Sequence, residues 1–345
     1  MKLKLRMVIL LALALFALAL GIALGSVGVS LGDLMTVLSH KLFGTALPEG
    51  FSAVTVSILW SIRFPRAVMA FLTGAALAAS GTVMQSVLRN PLASSYTLGV
   101  SSGASLLAAI VIVTGFTLPV IGQYTLPLFG FLGGLGTVFL AMALSMRFSR
   151  SLENQTIILV GMVLSLFVNA LLTLITALSA DRLSQLVYWE MGSFSGQSWQ
   201  NAGLVLPILL ISLLILTRYS REMDLMTFGE EQALSAGVDL RRVKFILIAI
   251  SALLTGTAVS LAGVIGFVDL IAPHVVRRIF GSNHRVVVPM SALFGGAFMV
   301  LADLVSRTIL SPQELPVGAV TALIGAPFFA YIYFHRERSC SQCCD

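Results

Sequence analysis

Charge is what this sequence has least of. Only 10% of its 345 residues are Asp, Glu, Lys or Arg, while 57% are hydrophobic and the mean hydropathy is +0.98. Soluble domains devote about a quarter of their residues to charge, so the composition points to a bilayer as the solvent. Motifs of covalent chemistry are missing as well: there is no Gly-rich Walker loop and no HExxH. His40, His274, His284 and His335 are scattered, none with a second ligand at metal-binding spacing. Cysteine is confined to Cys340, Cys343 and Cys344 in the last six residues, a CxxCC tail that reads as a soft-metal or lipidation site or as incidental thiols on a terminus. The net charge of +6 is explained by topology, because membrane proteins collect Lys and Arg in cytoplasmic loops; no nucleic-acid partner is implied.

What is present is a series of long apolar runs. The first, Met7 to Gly32, is free of charge for 26 residues and follows three basic residues. It resembles a secretory signal but exceeds an ordinary signal core and is followed by many more spans, so it reads as a first transmembrane helix. Crossing roughly 30 Å of hydrocarbon takes about 20 helical residues. Charge-free windows on that scale cover 7–32, 67–88, 90–146, 154–180, 191–217, 245–268, 286–302 and 315–335. The run 90–146 holds two helices, since Gly115, Pro119, Gly122 and Pro127 interrupt its middle. The less apolar segment 266–285 supplies a further crossing.

The expected fold is therefore all-α: a polytopic membrane protein of about ten transmembrane helices, both termini cytoplasmic, forming a single transmembrane domain over 1–345. With that topology 16 of the 21 basic residues fall inside, and Lys41, Arg63, Arg66, Arg182 and Arg307 fall outside. Small residues at Gly21/Gly25, Gly74/Ala78/Gly81, Gly99/Gly103 and Gly130/Gly134 have the spacing that lets helices approach closely in lipid.

The longest polar interval after the N-terminal third is 218–244. Within it Glu230 to Ala236 reads as a short helix closed by Gly237, with a basic cluster opening the next helix. Two readings fit this loop: a docking surface, and a solvated segment whose charges set topology. Two acids fall inside predicted spans. Asp303 precedes Arg307 by one turn, so the two neutralise each other at the outer face; Asp269 lies near a helix start, where the dipole favours an anion. Neither belongs to the chain of acids expected of a proton-coupled pump.

Several blocks in order carry a resemblance: Arg63-Phe-Pro-Arg66, then Gly74, Gly81 and Gln85, then RNPLA and LGVSSGA, and later GEEQALSAGV, GVIGFVDLIAPHVVRRIFGSNHR, ADLVSR and ELPVGAVTALIGAPFF. Over essentially the whole chain this resembles the FecCD-like permeases of iron-siderophore, haem and vitamin B12 ABC importers. The resemblance implies a homodimer whose pathway runs between the copies, with separate ABC ATPase subunits on the cytoplasmic side. It also implies a periplasmic or lipid-anchored substrate-binding protein outside, in a bacterial or archaeal cytoplasmic membrane.

By the resemblance, Arg63, Arg66 and Arg307 receive carboxylates of the binding protein, a task suited to guanidinium forks; snorkelling to lipid phosphates is the plain alternative. Gly229, Glu230, Ala233, Gly237 and Arg241 fall in the element that couples to the ATPase. Asn90, Pro91 and Leu92, with Asn154 and Gln155, match positions closing the cytoplasmic end; packing of a tight turn is the alternative for the asparagine and proline. No catalytic or metal site and no cofactor is expected in this chain, ATP and Mg being bound by the ATPase. Two departures stand out: Ser94-Ser95 where an acidic or small residue and then proline usually follow NPLA, and Asp269 where a small residue is common. The competing class is an ion-coupled secondary transporter with sites at mid-membrane. A third class, an intramembrane enzyme, requires clustered catalytic groups that the sequence lacks.

Overall fold

The computed structural model describes residues 2–25, 30–48, 51–148 and 152–341, with backbone alone at Lys2, at Leu31 and over 332–341. Arg150, Cys343 and Cys344 lie outside the described residues, as does the side chain of Cys340. All regular structure among the described residues is helical. Helices α1 (Lys2–Ala23), α2 (Leu31–Phe43) and α3 (Ala53–Ser57) come first, and a π-helical turn (Ile58–Arg63) leads from α3 into α4 (Phe64–Val87). Beyond a 3-10 turn at Ser95–Leu98 follow α5 (Val100–Thr114), α6 (Thr125–Phe148), α7 (Asn154–Leu178), α8 (Leu183–Met191) and α9 (Trp199–Arg218). Short α10 (Ser220–Phe228) and α11 (Glu230–Ser235) precede α12 (Leu240–Ala262), α13 (Val268–Phe280), α14 (His284–Thr308) and α15 (Val317–Ser341).

Among the described residues, seven helical stretches are long and apolar enough to cross a membrane: most of α1, the run from α3 through α4, and those built on α6, α7, α9, α12 and α14. The other three predicted windows hold α5, α13 and the apolar part of α15, which are shorter. With 13 residues, α13 extends only about 20 Å, short of the roughly 30 Å of hydrocarbon. The helices α2, α3, α8 and α10 were not expected from the charge-free windows. Glu230–Ser235 does form the expected short helix; Gly237 N–H donates to Leu234 O and Val238 N–H to Ala233 O, a Schellman closure that needs the positive φ of Gly237.

Helix α4 is the axis of the bundle. Nearly all of its residues are buried, enclosed by α14, α12, α13 and α9. In lipid, burial supplies no hydrophobic drive between helices, so their association depends on close packing. An added Cβ at Gly74 would overlap the Gly295 carbonyl, and one at Gly295 would stand 2.6 Å from the Gly74 carbonyl. The α4–α14 contact is thus backbone on backbone. Helix α1 joins the same bundle through Ala14 and Ala17 against Ala297, as expected of a transmembrane segment.

Two irregular segments lie beside α4 and satisfy one another. Ser95 Oγ stands 2.6 Å from Ser80 Oγ, which donates to Ser251 O and accepts from Thr255 Oγ1. Tyr96 Oη donates to Ile265 O at 2.8 Å, and Ser94 Oγ donates to the Asp269 carboxylate. Non-helical backbone is tolerated at membrane depth when protein surrounds it in this way. The two departures noted in the sequence, Ser94 and Asp269, are therefore partners. Gly74→Val should force α4 and α14 apart and cost about 1–3 kcal/mol, seen as a lower midpoint of thermal unfolding in detergent; an unchanged midpoint would contradict this packing.

Candidate functional site

The 24 residues of α4 span about 36 Å, and candidate residues gather at both of its ends. At the N-terminal end Arg66 is held by two carboxylates. Its Nε and Nη2 donate to Asp303 at 2.9–3.1 Å, while Nη1 and Nη2 donate to Glu314 at 2.7 and 3.0 Å. Arg66 and Asp303 are buried, whereas the Glu314 side chain is 40% exposed. Arg307 Nε lies 3.5 Å from Asp303 Oδ2, the expected one-turn pair, and Nη2 donates to Gly21 O. Arg63 Nη1 donates to Ala23 O at 2.9 Å and Ile22 O at 3.3 Å.

Both outer arginines of α1's C-terminus thus cap carbonyls that the helix leaves unpaired, where a cation also meets the negative end of the dipole. The structure brings Arg63, Arg66 and Arg307 to the same end of the bundle and buries most of their surface within the protein. Three guanidinium groups face two carboxylates, and Glu314 is the member of the cluster most open to solvent.

At the other end of α4 the chain turns through Arg89–Ala93. Asn90 Oδ1 accepts from Leu92 N–H at 2.9 Å and Asn90 O accepts from Ala93 N–H at 3.0 Å, an Asx turn that leaves Pro91 and Leu92 exposed. Asn90 therefore shapes the turn through its own side chain. Asn154 and Gln155 open α7; no described hydrogen bond joins them to Asn90, Pro91 or Leu92. Asn154 is instead tied to the predicted coupling residue Glu230 through Lys244, whose Nζ donates to both.

The α10–α11 pair forms an elbow at Gly229, whose φ of +149 favours glycine. Ala233 faces inward and is buried, and Arg241 is exposed, its Nη2 3.7 Å from Met146 Sδ. Phe228 and Leu234 project outward, 77% and 57% exposed. A second anchor was missed by the sequence reading: Asp224 of α10 accepts from the His284 backbone N–H at 3.0 Å and pairs with His284 Nδ1 at 2.5 Å. His284 Nε2 in turn meets Ser86 Oγ of α4, and Arg277 reaches Gln85 and Ser86. The elbow is thus linked to the central helix through His284 of α14. Among the described residues no three His, Cys, Asp or Glu side chains gather as a metal site.

Removing Asp303 should be severe and removing Glu314 mild. Asp303→Ala removes the buried counter-charge shared by two largely buried guanidinium groups and should cost about 3–5 kcal/mol, whereas Glu314→Gln, at a partly exposed position, should cost about 1 kcal/mol or less. Denaturation in detergent gives both values, and equal losses would contradict the assignment of Asp303 as the shared counter-charge.

Against known proteins, the model of the FecCD transport family matches residues 11–335. An uncharacterized ABC transporter permease protein of Bacillus subtilis, YvrB, is 42% identical over 319 residues, which are 92% of this chain and 90% of the relative. The cobalamin import system permease protein BtuC of Halobacterium salinarum is 39% identical over 295 residues, 86% of this chain and 78% of the relative. A solved structure of an inward-facing conformation of a metal-chelate type ABC transporter is similar with a TM-score of 0.80 at 29% identity, covering 94% of this chain and 97% of that one. With its apolar helices, its matched blocks and its architecture in agreement, the chain belongs to the FecCD transport family and is a multi-pass membrane permease.

Proposed function

We propose that this permease is the membrane subunit of an ATP-driven ABC importer in a bacterial or archaeal cytoplasmic membrane, carrying a metal chelate of the ferric siderophore, haem or cobalamin class. Two copies enclose the pathway, ten helices cross in each, and both termini are cytoplasmic. The relatives' names, cobalamin for one and metal chelates for a solved structure, support the substrate class. An ABC ATPase binds ATP and Mg on the cytoplasmic side, a periplasmic or lipid-anchored binding protein delivers the chelate outside, and this chain contributes no covalent step. Closure of the ATPases on ATP biases the permease between outward and inward states because each partner prefers one of them.

The observation that carries this reading is the α10–α11 elbow. A polar segment that only fixed topology would keep its large apolar side chains covered, yet Phe228 and Leu234 are exposed in the same short stretch of chain as exposed Arg221, Glu231 and Arg241. Large apolar side chains exposed in a charged segment fit a protein partner. Phe228→Asp should weaken recovery of the ATPase by about 2 kcal/mol, near 30-fold in affinity, without lowering the permease's own unfolding midpoint. Unchanged recovery would sink the assignment.

Docking outside rests on the arginine cluster. Since Glu314 occupies one side of the Arg66 fork at the exposed rim, a carboxylate of the binding protein has to compete with it. Glu314→Gln should therefore tighten binding-protein docking, measured by titration of the reconstituted permease. Weaker docking, or none lost or gained, would exclude Arg66 as the acceptor and leave Arg63 and Arg307 as helix caps. The ion-coupled alternative finds little support in the buried acids: Asp303 is held by two arginines, and Asp269 by Ser94.

A further inference from the structure

Lys244 is the only lysine among the buried residues of the described structure, with no exposed surface. A buried ammonium costs several kcal/mol unless it is paired and fully hydrogen-bonded. Here each of its three protons has an acceptor: Leu152 O at 2.7 Å, Glu230 Oε1 at 2.8 Å and Asn154 Oδ1 at 2.9 Å. These acceptors belong to different parts of the chain. Glu230 is the first residue of α11, Asn154 the first of α7, and Leu152 precedes α7 with a φ of +53, a conformation uncommon for a residue other than glycine.

Along α12 the residues at helical spacing from Lys244 are Ile248, Ser251 and Thr255, all buried. An aliphatic residue at 244 could continue that face at lower cost. What the lysine adds is a connection. Helix α7 packs against α5, α6 and the Ser95–Leu98 turn, and α11 against α10 and α12; the described hydrogen bonds that lead from α11 to α7 run through Lys244.

We propose that Lys244 is a positioning residue that makes the inner end of α7 follow α11, so that a push on the coupling elbow displaces Asn154 and Gln155. This deepens the importer reading and rests on it, since the push is supplied by an ATPase seated on Phe228 and Leu234. The shared ammonium lets the elbow and the α7 start move as one body, whereas an apolar contact would let them slide.

The test uses the permease with its ATPase, in a background with Cys340, Cys343 and Cys344 changed to Ser and a reporter Gln155→Cys. The rate of maleimide labelling at the reporter is compared with and without ATP and vanadate. In the parent the rate should change several-fold on adding nucleotide. Glu230→Ala combined with Asn154→Asp moves the counter-charge from α11 to α7, keeping Lys244 neutralised while cutting its link to the elbow. This double variant should keep an unfolding midpoint near the parent's and still lose the nucleotide response. Lys244→Met, which leaves the elbow's outer surface untouched, should lose the response with the ATPase still bound, and it decides the matter if the double variant fails to retain the ATPase.

A nucleotide response preserved in either variant with the ATPase bound would overturn the proposal. So would a double variant in which stability and response are both retained, since Lys244 would then be a structural ion pair alone. A parent complex that binds no ATPase would overturn the importer reading itself, an outcome distinguishable because it precedes any substitution.

Discussion

Every polar group below the membrane surface must find its partner inside the protein, because lipid offers none. The central helix α4 meets this constraint by having almost nothing to satisfy: it is free of charge from Ala67 to its C-terminal residue Val87, and glycine against glycine brings its backbone onto α14. Of its hydroxyls, Thr82 and Ser86 donate to carbonyls of α4 itself, and two also meet other elements. Ser80 receives the re-entrant turn at Ser95, and Ser86 receives His284. A helix built this way can be surrounded on all sides, and the irregular segments 94–99 and 263–267 can lie beside it with their polar groups paired.

Charge is displaced to the two ends of α4, and it does different work at each. At the start of α4, Asp303 holds Arg66 and Arg307, and the C-terminal carbonyls of α1 hold Arg63 and Arg307. That network fixes α1, α4 and α14 relative to one another while leaving Glu314 at the rim. At the other end, Asp224 and Glu230 tie a short two-helix elbow to α14 and α12. One end is a rigid cluster with an excess of positive charge, and the other is a projecting element gripped by two buried contacts. A permease that must accept one partner outside and be moved by another inside needs both.

The apolar helices were legible because apolar length is a local property: each of ten windows holds a helix, and seven helical stretches among the described residues are long enough to cross, α5 and α13 being shorter than their windows. Short helices such as α10 escaped notice because SREMDLMTF is polar and has no long apolar run. Arg63, Arg66 and Arg307 stood out by violating the charge bias of their flanks. Their burial did not, since Arg66 meets Glu314 across 248 positions and Arg63 meets Ala23 across 40. Lys244 was hidden beside Arg241 and Arg242 as one more inside charge; the signal that separates it is its place on the same α12 face as Ile248, Ser251 and Thr255. Ser94 and Asp269 were each visible as departures, but their pairing across 175 positions is a property of the fold alone.

The central claim is that movement of a substrate through this chain is driven by ATP acting on the α10–α11 elbow. Uptake of a metal chelate such as cobalamin or haem into proteoliposomes tests it most directly, with permease, ATPase and binding protein together, then with the ATPase omitted, and with a protonophore added. The account predicts uptake that requires the ATPase and ATP and is indifferent to the protonophore. Uptake that persists without the ATPase and collapses with the proton gradient would contradict it.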